Sequence, residues 1–294
     1  MNMLEKALEK SLEKSKGIAD SEKEENLKKQ KVSDFIQNES AIDLERNNFG
    51  KIKKDIVTFN WDYLSQHGFI RIDDSNSRIA EEFRSIKRPL VKNALGARKR
   101  DINNANLILV TSSIPGEGKT FTSINLAFSI AAEMDKKVLL IDADVAKPSV
   151  SNVLGINSDV GLIDFLEKDT LSLSDIILQT EIPGLRIITA GKSHKYSTEL
   201  LASDKMIALS KELSDRYSDR IVIFDTPPLL ATTQAEVLAS QMGQLILVVG
   251  AEITPQNYVM ESVKKLQGCS DVVLALLNKA QRNLNAGYYG YGYY

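Results

Sequence analysis

Eight consecutive residues, Ser113-Ile114-Pro115-Gly116-Glu117-Gly118-Lys119-Thr120, follow one apolar run and precede a helical one. Their types suit an anion. Glycines 116 and 118 let successive backbone N–H groups turn toward one point. The helix N-terminus that follows adds the positive end of its dipole. Lys119 is long enough to reach the β- and γ-phosphates of a nucleotide, and the Thr120 hydroxyl can ligate Mg²⁺. The spacing predicts a phosphate-binding loop, with Ser113 where the first glycine usually stands. Pro115, Glu117 and Phe121 belong to the same nucleotide-binding stretch.

Two further runs end in acids. Ile141-Asp142-Ala143-Asp144 closes one predicted strand. Its carboxylates are two residues apart, so both can project from one face of the strand end. Two uncompensated acids there repel each other, and a divalent cation or a proton-accepting role resolves that cost. Ile221-Val222-Ile223-Phe224-Asp225 is the arrangement in which an acid holds Mg²⁺ directly or through water, and Pro227 and Pro228 fix the loop after it. Asn278 follows the last apolar run. It is either a contact for an adenine edge or a structural turn residue.

A phosphoryl group needs an acceptor, and the C-terminus offers one. Five of the nine tyrosines, Tyr288, Tyr289, Tyr291, Tyr293 and Tyr294, fall in the last seven residues, interleaved with glycines. A tyrosine hydroxyl has an unperturbed pKa of about 10, so a base must take its proton. Asp142 or Asp144 is the candidate. The stretch 286–294 can extend roughly 30 Å, enough to reach an active site.

These residues need elements to hold them. Predicted strands are 106–112, 137–144, 185–191, 220–227, 244–251 and 271–278, with helical periods at 118–134, 198–216, 233–242 and 256–267. Near-continuous apolar strands alternating with helices predict an α/β fold, a mostly parallel sheet with helices on both faces. Ligand sites in such sheets lie at the carboxyl ends of the strands, where the loop and acids fall. The expected organisation is an N-terminal extension (1–68), a catalytic domain (69–285) and a flexible tyrosine-rich tail (286–294). In the extension, Leu4, Leu8 and Leu12 put a narrow apolar stripe on a short helix. That helix is a solvated one, a docking element for a partner or a membrane-surface contact. A linker follows over 17–60.

Composition narrows the function further. With 37 Lys+Arg against 39 Asp+Glu, the net charge of −2 argues against a protein that coats nucleic acid. The single cysteine excludes an internal disulfide, and only two histidines stand beside it as soft metal ligands. No apolar run approaches the ~18 residues of a spanning helix. The expectation is a cytoplasmic protein whose membrane contact comes through a partner or a surface helix.

Over residues 78–294 the order and spacing resemble the bacterial tyrosine kinases, or BY-kinases, which are P-loop NTPase-like enzymes with a phosphate loop, an Asp-x-Asp strand end, a further acid and a C-terminal tyrosine cluster. "STELLASDKM" before "IVIFDTPP" adds to the likeness. "EEFRSIKRPL", "DADVAKPSV" and the opening "LEKALEK" look most like the soluble autokinases of exopolysaccharide and exosortase loci. The resemblance implies ATP and Mg²⁺ as cofactors, with Lys119, Asp142, Asp144 and Asp225 catalytic and Thr120, Asp144 and Asp225 at the metal. It implies tail phosphorylation between subunits of a homo-oligomeric ring, with Glu81, Arg84 and Lys87 as the contact helix. It implies a membrane polysaccharide co-polymerase (chain-length determinant) as activator, a cognate tyrosine phosphatase, and control of exopolysaccharide export at the inner face of the membrane.

Two positions depart from the pattern. The family's Arg two residues after the second Asp is Ala146 here, followed by Lys147. The second Arg of its contact helix is Lys87, with Arg88 adjacent. Lys does not reproduce the bidentate geometry of Arg. Two other functions compete. A partition- or division-type ATPase switch would carry a signature Lys where Ile114 stands. A nucleotide-gated scaffold would bind ATP and phosphorylate nothing.

Overall fold

The computed structural model describes residues 56–74, 77–217 and 219–280. The expected N-terminal helix and the tail tyrosines Tyr288, Tyr289, Tyr291, Tyr293 and Tyr294 lie outside the described residues. In chain order the elements are α1 (Trp61–Gln66), α2 (Arg78–Leu95), β1 (Leu107–Ser112), α3 (Lys119–Ala131), β2 (Lys137–Asp142), α4 (Val150–Leu154), α5 (Leu162–Glu167), α6 (Leu173–Ile176), β3 (Leu178–Gln179), β4 (Leu185–Ile188), α7 (Ser197–Leu201), α8 (Asp204–Asp215), β5 (Arg220–Asp225), α9 (Gln234–Ala239), β6 (Gln244–Gly250), α10 (Gln256–Leu266) and β7 (Val272–Asn278).

The strands form one sheet in the order β3-β4-β2-β5-β1-β6-β7. All pairs are parallel except β3–β4. Central strands are buried on both faces, which is why they read as unbroken apolar runs. Alternation along β1 sends Leu107 and Leu109 into one core layer and Ile108 and Val110 into the other. The first layer is completed by α5 through α10, the second by α1 through α4. This is the mostly parallel α/β architecture of P-loop NTPases. Among the described residues no helix is long and apolar enough to cross a membrane.

The expected domain boundary at 68/69 is corrected. Residues 56–68 belong to the same body as the sheet. Val57 bridges to Thr180 beside β3, with Val57 N–H on Gln179 O and Glu181 N–H on Val57 O, both at 2.9 Å. Phe59 is 7% exposed, and its ring lies 5.6 Å from both Trp61 and Phe128. The Glu181 carboxylate accepts from Phe59 N and Trp61 Nε1, each at 2.9 Å. The segment covers the short edge strand β3, which would otherwise leave part of its backbone unpaired.

Candidate active site

The loop between β1 and α3 closes only because two positions are glycine. Gly116 has φ 88° and Gly118 φ 97°, in the left-handed region. A Cβ on Gly118 would come within 2.1 Å of Asn278 Nδ2. No side chain caps α3, so its first N–H groups are left to the loop.

Behind the loop sits a brace. The fully buried Glu117 carboxylate accepts from Ile114 N at 2.7 Å, from Gly250 N at 3.1 Å and from the Thr254 hydroxyl. Its side chain therefore turns away from any ligand and ties the loop to the end of β6. Ser113 is also fully buried and accepts from Ser262 Oγ on α10 at 2.9 Å. Its hydroxyl tethers the start of the loop to α10. Asn278 donates to Glu117 O at 2.8 Å, through its amide nitrogen.

On the open side lies a cavity of about 440 Å³ lined by Pro115, Gly116, Gly118, Lys119, Thr120, Phe121, Asp144, Lys147, Pro228 and Lys279, among others. Phe121 also packs against the second core layer, its ring 5.1 Å from that of Phe69. The register of the sheet brings the acids here, since Asp142 on β2 lies opposite Asp225 on the adjacent β5.

The three acids have different surroundings. Asp225 is fully buried and accepts from Thr120 Oγ1 at 2.7 Å and Ser123 Oγ at 3.0 Å. Burial pushes its carboxyl up, against the pull of Lys119 and those hydroxyls. Asp142 accepts from three backbone N–H groups, Asp144 at 3.2 Å, Ser149 at 3.1 Å and Val150 at 3.0 Å. Burial first, then Asp225, push it up to about 8. Only Asp144 lines the cavity, and it holds Lys119 Nζ at 2.6 Å. Burial alone would lower the Lys119 ammonium, but Asp225, Asp144 and Asp142 outweigh it and hold it above its ordinary value. Lys147 reaches the cavity from the other side of Asp144, to which its backbone N–H donates at 3.1 Å.

Sequence reasoning missed Ser123 and Thr254. Ser123 was legible in principle, because it stands three residues after Thr120 on the same helix face. Thr254 carries no local signal.

The proposed contact helix α2 comes out differently. Glu81 and Arg84 form an ion pair on its exposed side. Lys87 does not share that face. It is 6% exposed, donates to Ser129 O at 2.5 Å and pairs with Glu133 at 2.7 Å. Its charge satisfies the carboxyl end of α3 within the same chain, so its assignment as an intersubunit contact is corrected. Arg88, one residue on, is the exposed cation.

Comparison with known proteins agrees with this geometry. A family model described as an AAA domain matches residues 105–282. The chain is 31% identical over 228 residues to tyrosine-protein kinase YwqD of Bacillus subtilis, covering 76% of this chain and 92% of that protein. It is 33% identical over 223 residues to the putative tyrosine-protein kinase EpsB of Ralstonia nicotianae, covering 76% of this chain and 28% of that longer protein. The kinase domain of the Escherichia coli tyrosine kinase ETK superposes with a TM-score of 0.64 at 29% identity, covering 81% of this chain and 94% of that one. Phosphate loop, paired acids, sheet order and these similarities lead to one assignment: the chain belongs to the bacterial tyrosine kinases.

Proposed function

We propose that the chain is a Mg·ATP-dependent autokinase that phosphorylates its own C-terminal tyrosines. The observation that carries this is the Lys119–Asp144 pair at the cavity wall, 2.6 Å apart, beside the Thr120–Asp225 contact. The donor set fits a hard dication. Thr120 Oγ1 and the Asp225 and Asp144 carboxylates are all oxygen, and the two carboxylates face a single cation, the Lys119 ammonium. A cavity of about 440 Å³ also suits a nucleotide. Bound Mg²⁺ would neutralise phosphate charge.

The residues then divide the work. Backbone N–H groups of the loop and Lys119 hold the phosphates. Lys119 leaves Asp144 to do so, which frees the one acid that lines the cavity to accept the tyrosine proton. The tyrosine oxygen bonds to the γ-phosphorus as the bond to the β,γ-bridging oxygen breaks, and ADP leaves. Asp142, held by three backbone donors, orients the 142–150 loop.

Intact-mass spectrometry after incubation with Mg²⁺ and ATP tests this assignment. Wild type is expected to gain about 80 Da per site, the mass of one phosphoryl group. Lys119→Met should lose roughly a hundredfold or more in rate. Asp144→Asn should lose about a hundredfold in kcat with ATP binding retained. Labelling of Asp144→Asn at the wild-type rate would remove Asp144 as the base.

The family resemblance supports four wider readings. These are a cytoplasmic ring assembled through the Glu81 and Arg84 face, activation by a membrane polysaccharide co-polymerase, reversal by a tyrosine phosphatase, and control of exopolysaccharide assembly.

A further inference from the structure

Two consecutive residues at the end of β7 hold two consecutive carbonyls of the phosphate loop. Asn278 Nδ2 donates to Glu117 O at 2.8 Å, and Lys279 Nζ donates to Gly116 O at 2.6 Å. The contacts differ in kind. An amide on a carbonyl is a matched neutral pair, and Asn278 is wedged against Gly118. An ammonium on a neutral carbonyl is not matched. It uses one of three donors and leaves its charge uncompensated. Lys279 is exposed, so its side chain has room to move.

The backbone points the same way. Lys279 has φ 60°, a left-handed conformation shared among the described non-glycine residues only by Asn104 and Glu252. A long side chain held there is uncommon and is found most often where function requires it. This conformation keeps the Lys279 side chain on the cavity that Lys119, Thr120 and Lys147 also line.

We propose that Lys279 is a further nucleotide-binding cation. It exchanges the Gly116 carbonyl for a phosphate oxygen when a polyphosphate enters the cavity. The inference rests on reading that cavity as the nucleotide site. The Gly116 carbonyl offers the ammonium only a dipole, whereas a phosphate oxygen adds the attraction of opposite full charges, which gives the exchange its direction. Lys279 would then approach the phosphates from β7, while Lys119 approaches from α3.

Titration of the full chain with Mg·ATP and with AMP, in wild type, Lys279→Gln and Lys279→Arg, tests the exchange. Glutamine keeps a donor for the Gly116 carbonyl without the charge, so a purely structural latch survives it. Lys279→Gln is expected to weaken ATP roughly five- to tenfold, with a smaller effect on AMP, and the loss should shrink as salt rises. Lys279→Arg should recover most of the affinity. Wild-type ATP affinity in Lys279→Gln, or an equal loss for ATP and AMP, would overturn the proposal. Failure of the wild type to bind ATP at all would instead overturn the reading of the cavity. Abolition by Lys119→Met alone, with Lys279→Gln unaffected, would retain that reading and remove only this residue.

Discussion

Asp142 is an acid whose state depends strongly on its burial. Its folded value is pushed from 3.8 to about 8, chiefly by burial. The folded protein therefore holds a proton there that the unfolded chain releases across that window. The Asp142 contribution to the stability of the metal- and nucleotide-free protein accordingly falls as pH rises from about 4 toward 8, because this group binds a proton in the native state. Asp142→Asn removes this contribution. Thermal unfolding in chelator at pH 5, 6.5 and 8 should show a flatter slope for Asp142→Asn than for wild type. Equal slopes would show that Asp142 is ionised in both states. Lys119, held above its ordinary value by the same acids, keeps its charge throughout this range.

At the scale of elements, the segment 56–68 carries a clear expectation. Phe59 is 7% exposed and meets Trp61 and Phe128. Phe59→Ala should therefore cost about 3 kcal/mol, read as a lower urea midpoint of the full chain. A loss under ~0.5 kcal/mol would mark the segment as a loose surface strand. This segment also shows where sequence reading stops. Val57, Phe59 and Trp61 alternate with period two, a strand signal, but the charged residues before them mask it when composition is averaged over 17–60. The central strands were legible because burial on both faces leaves unbroken apolar runs, whereas β7, an edge strand with alternate residues exposed, was legible from its apolar sequence alone. β3 was not, being two residues long and antiparallel. The predicted helix over 198–216 is two helices, because Ser203 caps the second by accepting from Met206 N. In the site, Lys119, Thr120 and the three acids were legible from loop chemistry and strand-end position. That Asp144 rather than Asp142 lines the cavity was not, because it depends on how the loop after β2 folds back to present the N–H groups of Asp144, Ser149 and Val150 to Asp142. Lys87 was misplaced because its partner, Glu133, lies at the end of a different helix.

At the scale of the whole molecule, the proposed acceptor and the site occupy separate stretches of sequence. Deleting 287–294 is expected to remove most phosphotyrosine and to leave ATP affinity unchanged, as read by phosphopeptide mapping and titration. Full labelling of the truncated chain would move the acceptor elsewhere, with Tyr196, 52% exposed, the first place to look. Transfer between copies predicts an initial rate per molecule that rises with protein concentration. The pairing of Asp142 with Asp225 across β2 and β5 has a further consequence. Each strand residue advances about 3.3 Å and reverses the side chain. Adding or removing one residue inside either strand would turn its acid into an apolar layer while leaving composition almost untouched. The sheet thus works as a ruler whose zero is the phosphate loop. Loops at the opposite, amino-terminal ends of the strands are free to lengthen or shorten, whereas the strands themselves are fixed in count by the chemistry they deliver.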